Sequence, residues 1–169
     1  MTTNNAITDN GFTRKTHNPD GNTSHGVSVC SMAKGARAAL FAYARERVIF
    51  RRQVYEFGYA RVPGLSVYRQ ELVKLGINAD AIPQKDLATW YVLGCARFDK
   101  TFVWDWVKQP ELPCELPLPA HPDPVLNKYL KYEDFGGAAI LPNWIKDPRS
   151  EHVGVMLLYR NPNVTPPAA

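Results

Sequence analysis

Four histidines, three cysteines and sixteen carboxylates are the residues of this sequence that metal or acid–base chemistry would need, and their spacing decides what they can do. Structural zinc sites take ligands in close pairs, about two to five residues apart. His17, His25, His121 and His152 are spread along the chain, and the nearest mixed pairs, His25 with Cys30 and Cys114 with His121, form neither a CxxC nor an HxxxH element. No metal site is expected. Nucleophilic catalysis would need a serine or cysteine beside a histidine and an orienting acid, and no GxSxG turn is present. Glycine-rich phosphate loops are missing as well: neither GxxxxGK[ST] nor GxGxxG occurs. Glu133 and Asp134 are adjacent, which places them on a solvated turn rather than on converging side chains. Neither a catalytic residue nor a cofactor is therefore expected. Cys95 falls on an apolar helical stripe and reads as a small buried hydrophobe.

The odd number of widely spaced cysteines gives no disulfide framework and suits a reducing compartment, inside a cell or within a particle assembled there. The opening MTTNNAITDNGF is polar, without the basic and apolar regions of a secretory signal, and no apolar run approaches the roughly 18 residues that span a bilayer. Secretion by a signal peptide and a membrane span are not expected.

The overall charge of +4 is unevenly placed. Residues 33–74 carry nine basic and three acidic side chains, net +6, while residues 75–169 are net −2. Proline is just as uneven, with eleven of fourteen between Pro110 and Pro167. A basic segment and a proline-rich segment thus follow one another.

The elements that would position these groups follow from periodicity. Residues 1–30, rich in Asn, Thr, Gly, Asp and Ser, read as an extended arm, with His25–Val29 as a short strand candidate. After Ser31 as N-cap, a helix is expected from Ala33 to Phe57, with Ala36, Ala39, Leu40, Tyr43, Phe50, Val54 and Phe57 on the core face. The other face carries Lys34, Arg37, Arg45 and Arg52, with Phe41, Val48 and Tyr55 along its flank. A short helix capped by Ser66 runs to Gly76. Pro83 opens a third helix, Gln84–Lys108, with Leu87, Tyr91, Gly94, Cys95, Phe98, Phe102 and Trp106 on one face and Trp90 and Trp104 elsewhere. Gly94 marks a close approach of another backbone, expected to be the first helix at Ala36 or Ala39.

Six prolines in residues 110–124 fix extended backbone, and Leu112, Leu116 and Leu118 read as anchors of a strap laid along the core. A helical turn at Val125–Tyr132 then leads to AAILPNWI and HVGVMLLYR, expected as a β-hairpin with Asp147-Pro148 in its turn and Pro142 limiting the first strand. The expected architecture is mainly α with a small β element: an arm (1–30), a helical core (31–109), the strap (110–124), a short helix and hairpin (125–161) and an extended tail (162–169).

This organisation implies a structural or accessory subunit of a virion or another multi-subunit complex, in contact with other protein subunits, copies of itself included. The interface candidates are Phe41, Val48, Tyr55, Trp90, Trp104, Leu112, Leu116 and Leu118. The alternative is a nucleic-acid-binding module using Lys34, Arg37, Arg45, Arg51, Arg52, Arg61 and Arg69.

Overall fold

Tyr55, Phe57 and Tyr59 alternate with Glu56, Gly58 and Ala60, a period of two that belongs to a strand. In a computed structural model describing residues 17–25, 35–96, 110–130 and 135–165, that stretch is strand β2, Tyr55–Arg61. The expected helix through Phe57 therefore stops early. Helix α1 spans Ala36–Phe50, begins at Gly35 with φ of 82°, and ends where Arg52 turns left-handed at φ of 54°. The buried Asn161 side chain donates from Nδ2 to Gln53 O at 2.8 Å and to Val48 O at 3.4 Å, satisfying carbonyls at this helix end. Ser31, the expected cap, lies outside the described residues.

The expectation of a helical core with an appended hairpin is corrected here. A four-stranded mixed sheet in the order β1-β2-β4-β3 runs through the molecule, and the three longer helices pack on it. Strand β1, Thr23–His25, pairs parallel with β2, with α1 between them in sequence. Strand β4, Gly154–Arg160, pairs antiparallel with β2 from Tyr55↔Arg160 to Arg61↔Gly154. Strand β3, Phe135–Leu141, pairs antiparallel with β4 and has a register shift between Gly137 and Ala139. The β3–β4 pair is thus one half of a sheet whose other half precedes it by a hundred residues or so, which periodicity within either segment does not reveal. Pro142 lies just past the end of β3.

Alternation along the strands sorts the two faces. Ala60, Ile140, Val155, Leu157 and Tyr159 enter the buried core with Phe41 and Val48 of α1. Helix α2, Leu65–Lys74, adds Leu65, Tyr68 and Leu72, and α3, Gln84–Ala96, adds Leu87, Ala88, Tyr91, Val92 and Cys95. The other face carries Tyr55, Phe57 and Tyr59, all half-buried. There the Trp144 ring stacks on Tyr59 at 4.0 Å, and His25 meets Tyr59 edge-on at 4.8 Å. Gly154 makes room for the indole, since a Cβ there would lie 2.5 Å from it.

The start of α2 also differs from expectation. Gly64, not Ser66, occupies the cap position, and its N–H is held from outside the helix by the Asp123 carboxyl at 2.9 Å. Gly76 ends this helix region with φ of 78°, a conformation that favours glycine.

Candidate interaction surface

Three places gather groups that could act on something outside the chain: the Asp123 node under the strap, the turn at residues 147–152, and the outer face of α1. In the first, Asp123 is fully buried. One oxygen accepts the N–H groups of Val125 and Leu126 at 2.8 and 2.9 Å, capping the short helix α4, Asn127–Leu130. The other accepts from Gly64 N and, at 3.1 Å, from the Tyr91 hydroxyl. Both oxygens are occupied, so this carboxyl fastens the strap to α2 and α3. Burial, with Cys95 and Asp123 close by, pushes the Tyr91 hydroxyl far above its ordinary range, and burial pushes the Cys95 thiol up to about 12. These are neutral groups of a packed interior.

The strap has further attachments. The Tyr68 hydroxyl, pushed up to about 12 by burial, donates to Pro117 O at 2.5 Å, and Trp90 Nε1 donates to the same carbonyl at 3.4 Å. Leu116 is buried and Leu112 packs against the core, whereas Leu118 is 45% exposed. Gly94 receives Pro119 rather than α1: a Cβ there would lie 2.5 Å from Pro119 Cδ. A cleft of about 220 Å³ remains between the strap and α2, with His121 and Arg149 among its lining. That is below the roughly 300 Å³ at which small-molecule pockets begin, and its two tyrosine hydroxyls already donate within the fold.

At the second place, aspartate, serine and histidine meet in one turn. Ser150 is fully buried, donates to Asp147 Oδ2 at 2.7 Å and accepts the Val62 N–H at 3.1 Å. His152 accepts the Asp147 N–H on Nδ1 at 3.1 Å. The serine bonds to the acid instead of the imidazole, an order that closes a turn and does not activate a nucleophile. Glu151 and His152 both have positive φ, 49° and 64°. Such strain persists where surroundings impose it, and here Arg69 grips Glu151 with two parallel hydrogen bonds of 2.7 and 2.8 Å, while Gln84 Nε2 donates to Glu151 O at 2.5 Å.

That grip also places one of the nucleic-acid candidates. Arg69 points inward, with a further bond to Ala79 O at 2.7 Å. Arg61 approaches Asp147 at 3.5 Å with its side chain 58% exposed. Arg51 and Arg52 are exposed at the end of α1, and Arg45 is half-buried. Lys34 and the Arg37 side chain lie outside the described residues. Of the described candidates, Arg45 is on α1, Arg51 and Arg52 follow its end, Arg61 is on β2 and Arg69 is on α2.

Helix α1 itself is turned relative to expectation. Phe41 and Val48, expected on its outer flank, are 8% and 1% exposed, and Phe41 meets Tyr129 edge-on at 5.6 Å. The expected core residues Leu40, Tyr43 and Phe50 are 45%, 59% and 80% exposed. Tyr55 lies on β2 and not on this helix. Trp90 is half-buried under the strap, and Trp104 lies outside the described residues. Both faces of α1 are apolar, so sequence reasoning finds two stripes, and the sheet takes Phe41 and Val48. The stripe left outside runs Ala36, Ala39, Leu40, Tyr43, Phe50, interrupted by Glu46 and Arg47.

Two partly buried groups lie near β1 and β2. Among the described residues, His25 Nε2 and Glu56 Oε2 are buried and have no hydrogen-bond partner. Burial lowers the His25 imidazole and raises the Glu56 carboxyl, the latter against the opposing pull of Arg45. Among the described residues no three of His, Cys, Asp and Glu converge as metal ligands, and no helix is long and apolar enough to cross a membrane. Comparison with family models, curated proteins and solved structures returns no match to the chain.

Proposed function

We propose that the chain is a non-enzymatic structural or accessory subunit of a larger protein assembly, contacting its neighbour through the outer face of α1. The observation that carries this reading is the exposure of Leu40, Tyr43 and Phe50 on a helix whose opposite face is already in the core. Phe50 is 80% exposed, and adjoining Ile49 is 38% exposed. Several large exposed apolar side chains on one helix are characteristic of interaction sites. The polar groups that would argue for catalysis point the same way, because Ser150, Asp123 and Arg69 are consumed by internal bonds.

The test is the native mass of the tagged chain in extracts of its source. The wild-type chain should migrate in a complex well above its own 19.0 kDa, and Phe50→Asp should release it as a free folded chain. A wild-type chain that always runs alone, or a Phe50→Asp chain that remains fully assembled, overturns the reading.

A further inference from the structure

The end of β4 lies against the residues that follow α1, because Asn161 N donates to Val54 O at 2.9 Å and its side chain donates to Gln53 O at 2.8 Å. Arg160 precedes Asn161, and Arg51 and Arg52 precede Gln53, so three arginines from two distant segments meet at one corner, all of them exposed. Arginines at a helix C-terminus ordinarily serve its free carbonyls. Here those carbonyls have other donors: Arg47 O takes the Arg51 N–H, Ile49 O the Arg52 N–H, and Val48 O the Gln53 N–H together with the Asn161 amide. Among the described residues none of the three guanidiniums has an ion-pair partner. Acid close to them is sparse. Glu46 is exposed about one turn before the helix end, and Glu56 alternates onto the opposite sheet face from Arg160 and Tyr55, within the field of Arg45.

Beside the arginines, residues 160–165 line an open cleft of about 490 Å³, within the roughly 300–1,000 Å³ of ligand sites. Its walls offer apolar Pro162 and Val164 and the exposed polar side chains of Asn163 and Thr165, while the Asn161 amide is spent on the helix end. Tyr55 pairs directly across the sheet with Arg160, and its ring lies 6.3 Å from that of Phe57 at a tilt of 35°. Guanidiniums suit phosphates, and ring surface beside them suits bases, the two means by which single strands are held. Three guanidiniums on two segments are more than one phosphate needs, which favours a polymer.

We propose that this corner binds single-stranded nucleic acid, with Arg51, Arg52 and Arg160 on its phosphates and one nucleotide seated in the cleft of residues 160–165. This goes beyond the assembly reading and does not rest on it. Two of the three arginines are nucleic-acid candidates of the sequence; the third, Arg160, joins them only through the pairing of β4 with β2.

The experiment is fluorescence anisotropy of the full pure chain with a fluorescein-labelled oligouridylate of twelve nucleotides, with circular dichroism confirming that each variant is folded. With three phosphates neutralised, the affinity should fall about 20-fold between 50 and 200 mM salt. R51Q/R52Q/R160Q should lose most of that salt dependence and bind about tenfold more weakly at 50 mM, whereas K74Q/K128Q/R149Q, which removes the same charge elsewhere, should change affinity by less than about threefold. Thr165→Glu brings a carboxylate into the cleft and should weaken binding about tenfold with the arginines intact. No binding at 50 mM salt overturns the inference, as do equal effects of the two triple variants or a Thr165→Glu chain that binds like the wild type. Tighter binding to phosphatidylserine vesicles, to polyglutamate or to a duplex of the same length overturns it too, assigning the corner to a membrane, an acidic protein or double-stranded nucleic acid. All of this is read on the pure chain, so a failure leaves the assembly reading to its own test, the native mass in extracts.

Discussion

Gly94 and Pro119 are in direct contact, with so little space between helix and strap that a Cβ on Gly94 would lie 2.5 Å from Pro119 Cδ. A proline ring cannot fold away as a long side chain can. Replacing a helical glycine by alanine ordinarily stabilises by about 1 kcal/mol, while overpacking costs about 1–3 kcal/mol. Gly94→Ala should therefore lower the melting temperature and speed proteolysis within residues 110–124. A raised melting temperature would show that helix propensity wins and that the strap yields freely.

Asn161 links β4 to the end of α1, reaching Val48 across 113 residues of sequence. Its amide also accepts the Asn163 N–H on Oδ1 at 2.9 Å. Asn161→Ala removes the donor and leaves two carbonyls without that partner, a loss of about 1–3 kcal/mol. Urea denaturation measures it directly, and an unchanged midpoint would mean that water replaces the amide without cost.

The two cysteines among the described residues differ in surroundings. Cys95 is fully buried with its thiol pushed up to about 12 by desolvation, whereas Cys114 is exposed on the strap. Since the thiolate is the reactive form, iodoacetamide at pH 8 should label Cys114 in the native chain, with Cys95 labelled after denaturation. Peptide mass mapping reads both sites. Equal native labelling rates would contradict the packing of α3 under the strap.

Glu56 gives a pH-dependent prediction whose sign follows from its surroundings. Burial raises its folded-state value above the ordinary 4.5, so the fold favours the protonated carboxyl. The resulting penalty is absent below 4.5 and complete once pH exceeds the raised value. Glu56→Gln should therefore stabilise the chain at neutral pH, with the gain vanishing as pH falls through the carboxylate range. A gain independent of pH would assign the effect to packing instead of charge.

The parts of the fold legible in sequence are those with local causes. The run from Gly154 to Arg160 stands out as a strand because its apolar residues are sheet formers and Asn161-Pro162 bounds it. Pro83 and Gly76 mark helix limits through their own backbone preferences. What is illegible depends on distant partners. Nothing near Arg69 indicates that Glu151 will take its guanidinium, and nothing near Gly64 indicates that Asp123 will cap it. The rotation of α1 is the clearest case. Counting Val54 and Phe57 as helical tips the balance of two apolar stripes toward the one that is outside, whereas in the fold both residues lie beyond the helix end. That count turns Phe41 and Val48 outward, whereas the fold buries them and leaves Leu40, Tyr43 and Phe50 exposed.

The central pairing of the sheet has a consequence for synthesis. Strand β2 has its long neighbour in β4, and the register closes at Tyr55↔Arg160. Chains emerge from the ribosome at about 5–20 residues per second. For several seconds, then, β2 is outside the exit tunnel with no β4 to pair with, and its three aromatic residues are open to other nascent chains.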